Sequence, residues 1–280
     1  MVDASQEQAC ARYERPVVRR LLDLFEQYET PVTWAFVGRL LDDSRGFDGL
    51  RGDRSNWFAP DLIDLIRQQH VEHEIGTHTN NHIYYDSASR DQVLEDLLRA
   101  KEVHSRHGLP FRSLVFPRNM VGHLDVLAEL GIEVFRSVDA GLLGQCDRYA
   151  PRVRPIANLL EKSLPLSPPL VSAVLRDGGL VELPSSMLLI GRNGLRRVAS
   201  VAAMRTKLRL GIEGATNKRS MFHLWFHPSN FYFQPESQFS LLESALSTAA
   251  NLRNQGKLDI LPMGAVGLRM MDRTARTPIG

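Results

Sequence analysis

The sequence VEHEIGTHTNNH, residues 71–82, joins a strand-like segment to two histidines that stand four residues apart. Val71 to Thr77 predicts a strand that ends at the first of them, His78. A spacing of four places His78 and His82 on one face of a helical turn, where both imidazoles reach a single cation. A divalent metal held in this way polarises a carbonyl and lowers the pKa of a bound water towards neutrality. The stretch therefore predicts a hydrolase site that follows a strand.

The segments on either side of this stretch alternate between helical and strand-like patterns. Helices are predicted at 16–28, 60–69, 89–107, 124–130, 197–212 and 237–254, and strands at 31–37, 71–77, 111–116, 132–138, 180–183 and 221–226. Residues 258–261 close the pattern before a polar tail. The alternation predicts a parallel α/β fold in one domain, residues 1–280. Five prolines within 147–178 predict a loop insertion over one end of a barrel.

Composition limits the classes of function. With 43% hydrophobic and 24% charged residues, the chain has the composition of an ordinary soluble globular protein. A net charge of +2 does not favour nucleic acid as a partner, and no aromatic residue interrupts the basic run in 192–219 to stack a base. Cys10 and Cys146 have neither metal-ligand spacing nor a disulfide framework, which indicates buried thiols.

The sequence also gives expectations about location. No apolar stretch reaches the length of a membrane span, and Met1 to Pro16 lacks the apolar core of a signal peptide. We therefore expect no transmembrane segment and a cytoplasmic protein. The sequence does not indicate the oligomeric state.

On its own, the histidine pair is a weak signal. Surface histidines reach the same spacing by chance, and the zincin motif is excluded because three residues separate Glu74 from His78. No Gly-Xaa-Ser-Xaa-Gly elbow of a serine hydrolase occurs either. The position of the pair after a buried-looking strand favours the metal interpretation, because α/β folds place their active sites there.

A second candidate motif is LVFPRN, residues 114–119, a strand that ends in a rigid turn with Arg118. The planar guanidinium can orient a carboxylate base or bind substrate oxygens. An exposed arginine at a turn would give the same pattern.

The third candidate motif is FHLWFHP, residues 222–228. On a strand, His223, Trp225 and His227 point to one side. His227 at the strand end could protonate a leaving amine, and Trp225 would line a small apolar pocket. A structural histidine bonded to a carbonyl is the alternative.

Together the three motifs resemble those of the polysaccharide deacetylases, carbohydrate esterase family 4. The family's His-Ser/Thr-Xaa-Xaa-His metal motif is matched by HTNNH at 78–82. Its arginine motif is similar to FPRN at 116–119, without the usual tyrosine, and its late strand with the catalytic histidine is similar to LWFH at 224–227. The resemblance spans roughly residues 16–265, and order and strand-end placement agree.

This resemblance implies a distorted (β/α)7–8 barrel that hydrolyses N-acetyl groups of a glycan, as in bacterial surface or exopolysaccharide metabolism. The divalent metal it implies is zinc or a similar ion. The implied roles are metal binding for His78 and His82, steadying of the base for Arg118, general acid for His227, and substrate contact for Asn119 and Trp225.

The chain departs from the family at its beginning. Members start with a strand that ends in paired acidic residues, one the base and the other the third metal ligand. Here only polar residues precede the helix predicted at 16–28, and Asp3 is the sole acid before Glu7. We therefore expect the first strand to be missing, through a start downstream of the true one or through degeneration. The chain as it stands should then be poorly active and marginally stable.

Two alternatives to a deacetylase stay open. One is a non-catalytic glycan-binding relative that keeps the barrel and its cleft. The other is a metal-free amide hydrolase of related fold that acts on ring amides.

Overall fold

The computed structural model describes residues 4–42, 57–139, 165–194, 196 and 200–276. The helices are α1 (Ala4–Gln27), α2 (Gly38–Leu41), α3 (Asp61–Arg67), α4 (Arg90–Arg106), α5 (Leu124–Glu129), α6 (Val201–Lys218), α7 (Pro235–Asn254) and α8 (Met263–Arg276). The strands are β1 (Thr33–Phe36), β2 (Glu74–Thr77), β3 (Ser113–Val115), β4 (Val134–Asp139), β5 (Val174–Leu175), β6 (Val181–Ser185), β7 (Met187–Leu188) and β8 (Leu224–Trp225).

The chain divides into two compact units. The sheet unit comprises Pro31–Val138, Ala173–Leu183 and Leu261–Gly280. The helical unit comprises Met1–Thr30, Asp139–Ser172 and Pro184–Ile260.

The sheet unit is built on six strands in the order β1-β2-β3-β4-β6-β5. Strands β1 to β4 run parallel, with Trp34 opposite Ile75 and Thr77 opposite Leu114, and β5 pairs antiparallel to β6. The α/β class with a mostly parallel sheet is thereby confirmed. Because parallel strands end at one edge of the sheet, the loops that follow β2 and β3 lie side by side.

The core of the sheet unit lies between β3, β4 and helices α4 and α5. The ring of Phe116 packs edge-on against Tyr85 at 5.7 Å and against Phe135 at 5.6 Å between centroids, and all three side chains are fully buried. Helix α4 begins with a capping box between Ser89 and Gln92, so its predicted start is confirmed. It ends just before Gly108, whose φ of +60° suits glycine.

The predicted polar tail is instead helix α8, and residues 258–261 form no strand. The carboxylate of Glu74 accepts hydrogen bonds from the backbone N–H of Gly264 (2.9 Å), from Thr33 Oγ1 (2.5 Å) and from the Ser113 hydroxyl. The N–H of Met263 donates to Thr33 Oγ1 at 2.8 Å. Side chains from β1 and β2 therefore satisfy the first N–H groups of α8, and Ser113 of β3 supports Glu74. These contacts are too distant in sequence for local patterns to predict.

The helical unit contains α1, α6, α7 and the parallel pair β7–β8. Helix α1 begins at Ala4 and includes Pro16, so the predicted start at Pro16 was wrong. Residues 5–15 are mostly good helix formers, and their polar character hid the helix from a search for apolar periodicity. Arg20 of α1 binds Glu236 of α7 at 2.6 Å and lies 4.0 Å above the ring of Phe239.

Two further predictions for this region need correction. Helix α6 runs from Val201 to Lys218 instead of 197–212, because Ser200 caps its first turn by accepting from the N–H of Ala203. The strand predicted at 221–226 is confined to Leu224–Trp225.

Some predictions fall on residues that the structure does not describe. Residues 147–164 of the proposed insertion lie outside the described residues, as do Cys146 and the side chain of Cys10. Residues 165–178 contain the short strand β5, an isolated antiparallel bridge between Val171 and Met221, and part of a 3₁₀ turn. Within the described residues no helix is long and apolar enough to cross a membrane, and the cytoplasmic location stays a prediction.

His104 is a fully buried titratable residue of α4. Its Nδ1 donates to the carbonyl of Pro110 at 2.9 Å, its ring packs edge-on against Phe111, and no described residue bonds its buried Nε2. Burial lowers the pKa of His104 below the usual 6.5, the Pro110 hydrogen bond opposes this, and the nearby His107 adds to it. The fold therefore holds His104 neutral.

We predict that acid destabilises the protein in part through His104. Below pH 6.5 the unfolded chain binds a proton at this residue, whereas the folded chain does not. The contribution of neutral His104 to the free energy of unfolding is therefore complete above pH 6.5 and is lost as the pH decreases below it. In His104→Asn, which keeps a donor near Pro110, the urea midpoint should fall less between pH 7.5 and 5.5 than in the wild type. An equal fall in both proteins would contradict the role of His104.

Candidate active site

His78 directly follows strand β2 and is fixed at its backbone and its ring. Its N–H donates to the carbonyl of Phe36 at 2.7 Å, and its Nδ1 lies 2.6 Å from the carbonyl oxygen of Val115. Because a carbonyl only accepts, Nδ1 carries the ring proton in the neutral form and Nε2 keeps its lone pair. A histidine oriented in this way by a backbone carbonyl is typical of metal ligands.

His82 brings a second imidazole to His78, with 4.8 Å between ring centroids and an interplanar angle of 75°. The segment between them is a loop, so the predicted helical turn was wrong. Thr79 and His82 have φ values of 65° and 58°, in the left-handed region, and the N–H of His82 donates to Thr79 Oγ1 at 3.0 Å. The loop nevertheless achieves what the spacing predicted, because it brings the two rings together.

Asp96 of helix α4 holds this loop. Its Oδ2 accepts from the N–H of Asn80 at 2.9 Å and from the Tyr85 hydroxyl at 3.1 Å. Its Oδ1 accepts from the N–H of Asn81 at 2.9 Å and from Asn81 Nδ2 at 3.0 Å. The carboxylate, 3% exposed, is thus satisfied by four donors. It takes backbone N–H groups that a helix would bond to its own carbonyls, which explains why the loop is not helical.

Tyr85 supports this arrangement from a fully buried position. Burial raises the pKa of Tyr85, and the charge and hydrogen bond of Asp96 raise it further. The hydroxyl therefore stays protonated and remains a donor to Asp96.

Asp96 was not among the residues predicted for the site. The signal that could have found it is an acid within an apolar stripe, because Asp96 lies three residues after the buried Val93 and four residues before the buried Ala100. A buried carboxylate on such a stripe requires several donors.

Arg118 lies in the 3₁₀ turn Pro117–Asn119 that follows β3, with φ 51°. Its guanidinium carbon is 5.3 Å from the ring centroid of Tyr84. Among the described residues no carboxylate forms an ion pair with it. The pKa of His82 is lowered mainly by desolvation and also by the positive charge of Arg118, whereas a backbone hydrogen bond raises it. The arginine and histidine motifs therefore meet at one edge of the sheet unit.

The side-chain amide of Asn119 is held by a hydrogen bond from Arg136. Arg136 Nη2 donates to Asn119 Oδ1 at 2.9 Å, and Arg136 is 8% exposed. The amide oxygen is therefore engaged, and substrate contact by Asn119 stays a prediction that would use its NH₂ group.

Trp225 and His227 belong to the helical unit. Their rings pack edge-on at 5.5 Å between centroids, although β8 ends at Trp225 and His227 lies two residues beyond it. The backbone N–H of His227 donates to Asn230 Oδ1 at 2.8 Å, and the imidazole is exposed. The roles of both residues stay predictions.

The metal prediction also stays open. Two imidazoles with a fixed ring orientation fit part of the ligand set of a zinc site. In the described part of the chain, no group of three or more His, Cys, Asp or Glu side chains is arranged to hold a metal ion. The described residues thus bring together two candidate ligands, His78 and His82, without a third candidate beside them.

Residues 9–133 match the sequence model of a family described as polysaccharide deacetylase. The match confirms the resemblance to polysaccharide deacetylases and includes His78, His82 and Arg118. It supports a hydrolase of the deacetylase type. His227 lies outside the matched segment.

Solved structures agree at the level of the fold. A protein from Mycobacterium smegmatis provisionally assigned as a polysaccharide deacetylase is 17% identical, with a TM-score of 0.64 over 98% of this chain and 82% of its own. PuuE allantoinase is 12% identical, with a TM-score of 0.64 over 98% and 77%. A protein from Pseudomonas aeruginosa, also provisionally assigned as a polysaccharide deacetylase, is 14% identical, with a TM-score of 0.60 over 99% and 77%.

No curated protein sequence matches the chain significantly. At such low identities the solved structures establish a deacetylase-type α/β fold alone. The family match carries the functional inference.

We predict that Asp96→Asn loosens the loop between the two histidines. The substitution replaces one acceptor oxygen of the carboxylate by an NH₂ donor, which then faces another donor in the loop. The lost hydrogen bond and the new repulsion should lower the free energy of unfolding by about 2 kcal/mol or more. Hydrogen exchange at the amides of Asn80 and Asn81 should become faster.

The matched control is Glu95→Gln, the same chemical change at the exposed neighbouring residue, which pairs with Arg99. It should cost less than about 0.5 kcal/mol and leave exchange in the loop unchanged. Equal exchange rates in Asp96→Asn and the wild type would show that Asp96 does not hold the loop.

Proposed function

We propose that this chain is a metal-dependent hydrolase that removes N-acetyl groups from a glycan. One observation carries the proposal. Within the segment that matches polysaccharide deacetylase, two histidine rings meet at 4.8 Å, and one of them is oriented by a backbone carbonyl.

In this proposal His78 and His82 hold the metal, which is zinc or a similar divalent ion. The hydrogen bond from His78 Nδ1 to the carbonyl of Val115 supports this, because it fixes the ring orientation and the tautomer in which Nε2 carries the lone pair that a metal needs. A divalent ion held there supplies polarisation of a carbonyl and a lower pKa for bound water. The resemblance assigns the third ligand and the base to carboxylates, and neither is assigned here.

The remaining roles belong to side chains of the protein. Arg118 presents a planar set of N–H donors beside His82, suited to the carbonyl oxygen of the acetyl group or to a carboxylate base. His227, by resemblance, donates a proton to the departing sugar amine. Asn119 and Trp225 are proposed to contact the sugar.

The proposed substrate is an N-acetylated glycan of exopolysaccharide or cell-surface type. The family description supports a polysaccharide as the substrate class. Neither the sugar nor its linkage is specified by the residues of the site.

A second candidate function is hydrolysis of a cyclic amide. The fold likeness to PuuE allantoinase favours it, and both reactions cleave a C–N bond of an amide. In its metal-free form this reaction would not need the histidine pair.

We predict that the wild-type protein binds zinc and that His78→Ala weakens this binding by more than about 100-fold, since loss of a supporting residue alone costs about 10–100-fold. Zinc affinity would be measured by competition with a chelating dye. His70→Ala, which removes an exposed histidine from the same unit, is the matched control and should bind as the wild type does.

Activity would be followed as acetate released from N-acetylglucosamine oligomers, with and without added zinc. Release that requires zinc and is lost in His78→Ala supports the proposal. Zinc-independent opening of a cyclic amide, unchanged in His78→Ala, would replace it by the second candidate. Binding of the oligomers without release of acetate would indicate a non-catalytic relative.

A further inference from the structure

Tyr84 is an exposed aromatic residue next to the histidine pair. Its ring centroid lies 6.3 Å from that of His82, at an interplanar angle of 69°, and the guanidinium carbon of Arg118 is 5.3 Å away. Tyr84 is 36% exposed. The ring of Tyr84 therefore lies next to His82 of the histidine motif and next to Arg118 of the arginine motif.

The backbone that carries this ring is fixed. The carbonyl of Tyr84 accepts from the N–H of Ser87 at 3.3 Å and of Ala88 at 3.1 Å. The next residue, Tyr85, is fully buried and bonded to Asp96. A Cβ at Gly122 would lie only 2.6 Å from the carbonyl oxygen of Tyr85, so the two chain segments touch there. Tyr84 is thus presented by a rigid segment.

Arg118 has a fixed backbone but a long exposed side chain. Pro117 before it is buried, and Asn119 after it is bonded to Arg136. No carboxylate of the described residues pairs with the guanidinium. Free in water, such a side chain samples many rotamers, and ordering it on binding costs free energy. The face of an aromatic ring within about 6 Å of a guanidinium attracts it and reduces that cost.

We propose that Tyr84 is a positioning residue that holds the Arg118 guanidinium beside the histidine pair. The ring acts through Arg118, whose planar donors are thereby oriented before the substrate arrives. Tyr84 does not itself contact the sugar in this arrangement. The catalytic consequence rests on the proposed function, whereas the position of Arg118 does not.

The position of Arg118 can be tested by NMR on the protein without added substrate. The Nε–H resonance of Arg118, identified by its loss in Arg118→Lys, should be shifted upfield by the ring and should exchange slowly. It should remain so in Tyr84→Phe, which keeps the ring and removes the hydroxyl. In Tyr84→Ala it should move to the position of solvent-exposed arginines. An unchanged resonance in Tyr84→Ala overturns the proposal.

A double-mutant cycle tests whether Tyr84 acts through Arg118. Tyr84→Ala should lower kcat/KM for acetate release from N-acetylglucosamine oligomers about two- to fivefold, as expected for an exposed cation–π contact. In the Arg118→Gln background the same change should have no further effect. A loss of equal size in both backgrounds would show a direct contact between Tyr84 and the sugar, and would overturn the proposal.

Leu98→Ala is the control for nonspecific loss of exposed apolar surface. Leu98 is 47% exposed on α4, and its removal should change neither the NMR signal nor the kinetics. If the wild-type protein releases no acetate, the proposed function fails. The double-mutant cycle is then repeated with the affinity of each variant for the same oligomers as the measured quantity. The NMR comparison decides the position of Arg118 in either case.

Discussion

The candidate site depends on one buried carboxylate, that of Asp96. A charged group at 3% exposure is costly unless donors surround it, and all four donors come from the segment 80–85. That segment follows His78 and includes His82. The requirement to satisfy Asp96 therefore fixes the loop in a non-helical path that brings two imidazoles together. The four hydrogen bonds offset the cost of burying the charge, and they order the loop at the same time.

The parallel sheet also positions the candidate site, because it orients the ring of His78. Strands β2 and β3 are parallel, so the carbonyl of Val115 at the end of β3 is available to the ring of His78 at the end of β2. The same strand end leads into the turn that carries Arg118. A one-residue change in the register of β2 against β3 would move His78 away from Val115 and to the other face of the sheet. The register of two short strands thus decides both the tautomer of His78 and its distance from Arg118.

The sequence predicted those features that depend on local patterns. Ser89 and Gly108 define the ends of α4 through capping and a positive φ, and the apolar runs located β1 to β4. What local patterns could not predict depends on contacts between distant residues. The carboxylate of Glu74 caps α8 from 190 positions away, and Asp96 determines the conformation at Thr79 to His82. For the site, the histidine pair and Arg118 were predicted as candidates, whereas Asp96 and Tyr84 became apparent only from their contacts.

The charges of the described residues bear on the proposed metal site. Two imidazoles that accept a divalent ion remain neutral, and Arg118 adds a positive charge next to His82. A divalent ion at the pair would be repelled by that guanidinium, because like charges near a low-dielectric interior interact strongly. A carboxylate close to both would offset the repulsion, bind the ion as a hard oxygen ligand and pair with the arginine. Asp96 cannot serve in this way, since its four acceptor positions are occupied by the loop. In the proposed metal site, a further carboxylate close to the histidine pair and Arg118 would therefore strengthen the binding of the ion.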